Sequence, residues 1–289
     1  IQPHLAAVIG SFYVIEAGPN AAASLLHSIR RGERDFVAAG GDGTLNYLLN
    51  ILVSELTAAS LSEVRIGAIG IGSSNDFHKP FDSHTLIGGF PCRLNFGNAR
   101  LRDIGIVRWT ELGTEDEKQR CWINNASTGV TAEANYFFNH PDRLLFSMKK
   151  RSTNLAIVFA ALRTIAAYET VWGEFSCSYA RSRRAGITNL GIVKNPHFSG
   201  SLCYDTDYPK EDGTFYVHLC EAMSKCRTLA ILYGLSHRKF RGNPRTQSFL
   251  SNEVRFYSPD PFAVEYDGET TITRRVEFSL RKNAVLLCA

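Results

Sequence analysis

With 289 residues, 44% of them hydrophobic and 21% charged, the chain is ordinary globular material, long enough to bury a core and most simply read as two domains. Its net charge of +4 suits anionic partners such as nucleotides or an anionic membrane surface, but is too slight to expect nucleic acid as a partner. No run of about 18 apolar residues and no basic-then-apolar leader occurs, so neither a transmembrane helix nor a signal peptide is expected.

The seven cysteines include no C-x-x-C pair, and their odd number argues against a disulfide framework; reduced thiols in a cytosolic protein are the expectation. The chain begins at Ile1 rather than Met, and a missing upstream segment is expected from that. Residues 5–9 and 12–15 read as strand material. Asn20 then introduces the alanine- and leucine-rich stretch 21–29, a predicted helix with Asn20 as its cap. The apolar run Phe36-Val37-Ala38-Ala39 predicts a strand, and apolar residues at 45, 48, 49 and 52 predict a helix face. Between them lies Gly40-Gly41-Asp42-Gly43-Thr44. A second strand at 64–69 ends in the loop Gly70-Ile71-Gly72-Ser73-Ser74-Asn75-Asp76-Phe77. Strands alternating with helices, each strand closed by a glycine loop, indicate an open parallel α/β sheet with both loops on its ligand-binding rim.

From about residue 103 the texture changes to short runs rich in β-branched and aromatic residues, at 104–109, 120–124, 173–179, 190–194, 214–221, 253–257, 262–266 and 275–280. An antiparallel sheet or sandwich is predicted, interrupted by helical patterns around 143–168 and 224–233. The segment Arg181-Ser182-Arg183-Arg184-Ala185-Gly186 reads as a loop, one that has been abridged. The expected fold is thus α/β plus β: an open parallel, Rossmann-like domain over 1–105 and an antiparallel β-sandwich domain over 106–289, packed directly with a cleft between them.

The first glycine loop joins flexible backbone, a carboxylate and a hydroxyl at a helix start, where free N–H groups and the helix dipole favour a phosphate. Asp42 would repel that phosphate unless a cation lay between them, which suggests a Mg2+-linked site or a base near the reacting centre. A purely structural turn is the alternative. The second loop supplies Ser73, Ser74 and Asn75 as donors to phosphate or sugar and Asp76 as a carboxylate fit for Mg2+; by itself it could be a simple helix cap. Near the other end, Tyr266-Asp267-Gly268-Glu269 is either a common Asp-Gly hairpin turn or a turn displaying Glu269 as a general base.

Taken in order, Gly40-Gly41-Asp42-Gly43-Thr44, Gly72-Ser73-Ser74-Asn75-Asp76-Phe77, Arg102-Asp103-Ile104-Gly105 and Asp267-Gly268-Glu269 resemble the motifs of the diacylglycerol kinase catalytic-domain superfamily. The similarity is strongest to soluble bacterial lipid kinases, which also resemble sphingosine and ceramide kinases. The resemblance implies two domains with ATP in the cleft between them, and Mg2+-dependent transfer of the ATP γ-phosphoryl group to the hydroxyl of a lipid alcohol. By motif position it implies an acidic network of Asp42, Asp76, Asp103 and Asp267 linked to Mg2+ and water, with Glu269 as the base. Gly40, Gly41, Gly43, Thr44, Gly72, Ser73, Ser74 and Asn75 would hold the nucleotide. Asp212, ahead of an Asp-Gly turn, would be a structural Mg2+ ligand by analogy, with a solvated β-turn as the alternative. A cytoplasmic protein peripheral to the membrane is implied, with transient membrane-surface contact; a homodimer is left open.

Three departures stand out. No Asn-Pro-x-Ser-Gly-like strand end precedes Gly40, which fits a truncated start; Tyr47 stands where the family has a glutamate; and Ser73 replaces a threonine while keeping its hydroxyl. Arg143, Lys149, Lys150 and Arg151 accompany Leu144, Leu145 and Phe146 on a helical pattern that reads either as a membrane-touching face or as a solvated charged one. Arg238-Lys239-Phe240-Arg241 invites the same pair of readings. The histidines have no metal-ligand spacing, so no zinc is expected. Two other functions compete: an NAD kinase, whose family shares the Gly-Gly-Asp-Gly-Thr sequence, and a catalytically weak homologue that binds nucleotide or lipid as a sensor or scaffold.

Overall fold

The computed structural model describes residues 11–81, 86–209 and 211–288. The strand expected at 5–9 lies outside them. The chain divides into two compact units, Ile1–Ile104 with Arg281–Ala289, and Gly105–Leu280. Residues 281–289, assigned by sequence to the second domain, therefore pack with the first.

In the first unit, β1 (Asp35–Gly40) and β2 (Arg65–Gly70) pair in parallel, from Asp35 opposite Arg65 to Gly40 opposite Gly70. Parallel neighbours need a crossover, and α2 (Asp42–Glu55) followed by the short α3 (Ala58–Leu61) provides it. The leucines at 45, 48, 49 and 52 are all buried, and each such side chain contributes about 1.5–3 kcal/mol. α1 (Ala21–Arg30) precedes this unit's first strand. Asn20 stands at its N-cap position but makes no side-chain cap bond; the Ala21 N–H is met by the Gly18 carbonyl instead. Residues 12–15 form no strand, lie largely exposed and pair with no strand among the described residues. On the far side of β2, β4 (Phe90–Arg93) runs antiparallel and carries β3 (Leu86–Ile87), while Leu286 and Leu287 at the end of β15 (Glu269–Leu287) run parallel to Arg65 and Ile66. The sheet is mixed rather than wholly parallel.

The second unit is antiparallel. β5 (Arg100–Thr110) enters it and pairs with β6 (Glu117–Trp122). Two long strands, β9 (Ala180–Val193) and β14 (Glu253–Tyr266), are each bonded to β8 (Val171–Cys177) over one stretch and to β7 (Asn125–Gly129) over another. β12 (Phe215–Glu221) and β13 (Thr246–Ser251) continue outward from β9, and β15 flanks β14. The ladders thus join the strands edge to edge into one hydrogen-bonded network. A two-stranded ribbon, β10 (His197–Phe198) with β11 (Leu202–Cys203), stands apart. Trp122, Phe175, Phe215, Phe256, Phe262 and Phe278 form the centre of the main core. The arginine-rich segment at 181–184 is the exposed start of β9, paired with β8, and not a loop.

Helices α4 (Val130–Asn139), α5 (Arg143–Arg151) and α6 (Thr153–Ala167) form a cluster, and α7 (Lys225–Ser236) contacts α6. Asp142, Ser152 and Ser224 cap the last three through their side chains. The single helical pattern read over 143–168 is in fact two helices, because Ser152 takes an extended conformation between them. Leu145 turns inward against Ala156 and Ala160, whereas Leu144 and Phe146 remain exposed. In the basic run 238–241, Phe240 is buried and Arg241 is bound to Asp205, while Arg238 and Lys239 are exposed.

Candidate functional site

Because Gly40 and Gly70 are register partners at the ends of parallel strands, both glycine loops leave from one rim of the sheet. They touch through backbone. A Cβ on Gly72 would stand 2.4 Å from the Gly41 Cα, so neither position tolerates a side chain without moving the main chain. The Gly40 carbonyl accepts from the N–H groups of Ile71 (2.9 Å) and Gly72 (3.3 Å). Thr44 folds back onto Gly40, where any Cβ would collide with its hydroxyl. Gly43 differs from these. It is exposed, with open space where a Cβ would go, and it lies in the first turn of α2 beside the helix's unspent N–H groups.

The Asp42 carboxylate is turned toward the other loop. Its two oxygens accept from the backbone N–H groups of Asp76 (2.9 Å) and Phe77 (2.8 Å), bolting one loop to the next. Burial raises its carboxyl above the usual aspartate range, opposed by the Phe77 N–H; the neighbouring Asp76 carboxylate raises it further, and the Asp76 N–H and Lys79 pull it down. Asn75 holds a left-handed conformation (φ 48°) and donates through Nδ2 to the carbonyls of Gly70 and Gly72, which fixes the second loop's curl; its Oδ1 is buried with no donor among the described residues. Ser73 is exposed, and Ser74 donates to Asp76.

Each carboxylate expected to bind metal is engaged by partners within its own unit. Asp76 is buried against the Lys79 ammonium at 2.6 Å, so its charge is already met. Asp103 is buried and accepts from the Asn283 N–H, tying β5 to the stretch of β15 within the same unit. Asp212, in the second unit, is exposed and accepts from the N–H and hydroxyl of Thr214, the solvated turn that was the alternative reading. Among the described residues no three His, Cys, Asp or Glu side chains stand as a metal ion would need. Within either unit these carboxylates do not make an all-carboxylate Mg2+ cage, whereas the open backbone of Gly43 at a helix start has the main-chain character that suits a phosphate.

In the second unit, Asp267 (φ 46°) and Gly268 (φ 91°) form a two-residue turn between β14 and β15, the conformation that Asp-Gly favours. The Asp267 carboxylate is buried and accepts from three successive N–H groups, those of Ile123 (2.6 Å), Asn124 (2.9 Å) and Asn125 (3.2 Å). Glu265, equally buried, accepts from Ser127 and from the Gly268 N–H. Asn139 on α4 donates to the Gly268 carbonyl. The turn is therefore held from several sides, and the residue it presents is Glu269, exposed and across the ladder from Tyr266.

Sequence reasoning missed Lys79, Glu265 and the Asn46–Asn50 pair on α2. Only Lys79 left a signal, its i,i+3 spacing from Asp76. Tyr47 is exposed, and its hydroxyl donates to the Gly18 carbonyl, so this departure from the family pattern braces the segment before α1.

A family model described as the diacylglycerol kinase catalytic domain matches residues 1–92. No curated protein matches the sequence. Among solved structures, two of a candidate diacylglycerol kinase from Bacillus anthracis str. Sterne superpose with TM-scores of 0.68 and 0.67 at 16% and 15% identity, covering 100% of this chain and 89% of each relative. A further diacylglycerol kinase structure from the same organism gives 0.62 at 14% identity, covering 99% and 88%. The chain resembles the diacylglycerol kinase catalytic-domain superfamily, by sequence over its first 92 residues and by fold over its whole length.

Proposed function

We propose that this protein is a kinase that transfers the γ-phosphoryl group of ATP to the hydroxyl of diacylglycerol or a related lipid alcohol. The observation that carries the reading is the pair of glycine loops bolted by Asp42 on one rim of the sheet, with Gly43 left open at the start of α2, inside the stretch that matches the family model. A phosphate at that point would meet backbone N–H groups at the positive end of the helix dipole. Ser73 and Thr44 would add hydroxyl donors. Asp42 and Asn75 keep the loops in register without facing the phosphate, so the anion would not be repelled by the carboxylate in its own motif.

Phosphoryl transfer needs positioning and charge neutralisation more than covalent help. Mg2+ entering with ATP would supply that neutralisation on the polyphosphate. Glu269 would take the proton of the acceptor hydroxyl as it attacks, and Asp267 would act as a positioning residue that holds the turn displaying it. Incubation of the purified protein with radiolabelled ATP and a mixed lipid extract, followed by identification of the labelled product, tests the reading. A phosphorylated lipid alcohol is expected, and Asp42→Ala abolishes it. Labelled NADP from added NAD, or ATP binding without transfer to any lipid, would overturn it in favour of an NAD kinase or a sensor.

A further inference from the structure

Helix α6 is apolar on two sides. One side is buried, with Ala156 and Ala160 packed on Leu145. On another, Leu155, Val158 and Leu162, at i, i+3 and i+7, are 64%, 55% and 48% exposed. A helix apolar all round belongs in a core or in lipid. α5, which contacts α6, also exposes Leu144 and Phe146, and large exposed apolar side chains gathered on two neighbouring helices are the kind of surface that marks an interaction site.

Charge decides what covers it. Residues 143–167 contain five basic side chains and no acidic one, and since the whole chain carries +4, all the remaining residues together carry −1. The protein's basic excess is concentrated on these two helices. Arg163 is paired with Asp142 and Lys149 donates to the Phe138 carbonyl, but Arg143, Lys150 and Arg151 are exposed and among the described residues form no ion pair. The Lys150 ammonium lies over the exposed Phe146 ring at 4.4 Å, an aromatic and a cation presented together, as at a membrane interface. A second copy of this chain would bring like charge onto like charge. An anionic bilayer satisfies both halves of the surface, with the leucines entering the acyl boundary and the cations at the headgroups.

We infer that α5 and α6 form a docking surface by which this protein lies on an anionic lipid bilayer. The inference does not use the nucleotide site, so it can hold or fail apart from the kinase reading. Co-sedimentation of the full chain, without ATP, with phosphatidylcholine vesicles carrying about one third phosphatidylglycerol should show binding that weakens with salt, and much less with phosphatidylcholine alone. Lys150→Gln with Arg151→Gln should weaken binding about 25-fold, at about fivefold per basic residue removed. Leu155→Ser with Leu162→Ser should weaken it at every salt concentration without lowering the melting temperature. Undiminished binding by either variant, or equal binding to neutral vesicles, would overturn the inference. So would a concentration-dependent dimer in sedimentation velocity that the double leucine variant abolishes, since the stripe would then be covered by a second copy.

Discussion

Two Asp-Gly turns, one in each unit, look alike in sequence and use the carboxylate alike, yet they expose opposite things. Asp42 caps two N–H groups of a neighbouring loop and leaves the open backbone of Gly43 beside a helix start. Asp267 caps three N–H groups at the start of β7 and leaves a side chain, Glu269, at the surface. The first turn is suited to hold an anion by main chain, the second to offer a base. In both, the conspicuous aspartate works as a brace.

The sharpest way to break this comparison is Asp267→Ala. It strands three backbone donors, two of them buried, and a loss of about 3–5 kcal/mol is expected in urea unfolding. Trp109, Trp122 and Trp172 all lie in the second unit, so tryptophan fluorescence reports on that unit alone. A loss below about 1 kcal/mol would show that the brace is dispensable. Glu269→Gln should do the reverse, leaving the unfolding midpoint in place while lowering phosphotransfer about 100-fold; unchanged transfer would remove the base. In the first unit, Gly72→Ala forces apart the backbones of the two loops and should cost about 1–3 kcal/mol by circular dichroism, with weakened ATP binding.

A smaller effect separates the units by pH. Burial depresses His78 in the first unit to about 4, with Arg93 adding to it, and His218 in the second to about 3. Below pH 6.5 the unfolded chain takes up protons that the folded one refuses. The stability from each histidine is therefore complete above 6.5 and is lost as pH falls toward its folded value, at about 1.4 kcal/mol per pH unit for His218. His218→Gln should flatten this slope in the fluorescence signal and His78→Gln should not. If both flatten it, the two units unfold as one.

Much of the fold was legible in the residues. The glycine loop, the leucine spacing of α2 and the strand at 64–69 were local patterns, and local patterns survived folding. What was lost depended on distance. Nothing near Asp42 in sequence shows that its oxygens go to Asp76 and Phe77, and nothing near Asp267 points to Ile123, Asn124 and Asn125. Helix α4 was invisible because Val130, Thr131, Tyr136 and Phe137 favour strands by propensity and are held helical by packing. β14 read as two strands because Pro259 and Pro261 cannot donate to a ladder; the sheet absorbs them at an irregularity between Tyr257 and Phe262. The arginines at 181–184 looked like a loop because the start of β9 faces water.

The second unit, Gly105–Leu280, is an insertion between two stretches of the first. On a ribosome the order of assembly is therefore nested. Residues 105–280 form a contiguous stretch that can close on itself once it has emerged, whereas β2 must wait for Leu286 and Leu287, more than half the sequence later, before its ladder is complete. The glycine rim is synthesised before the second unit, and the unit that carries it is finished after that unit.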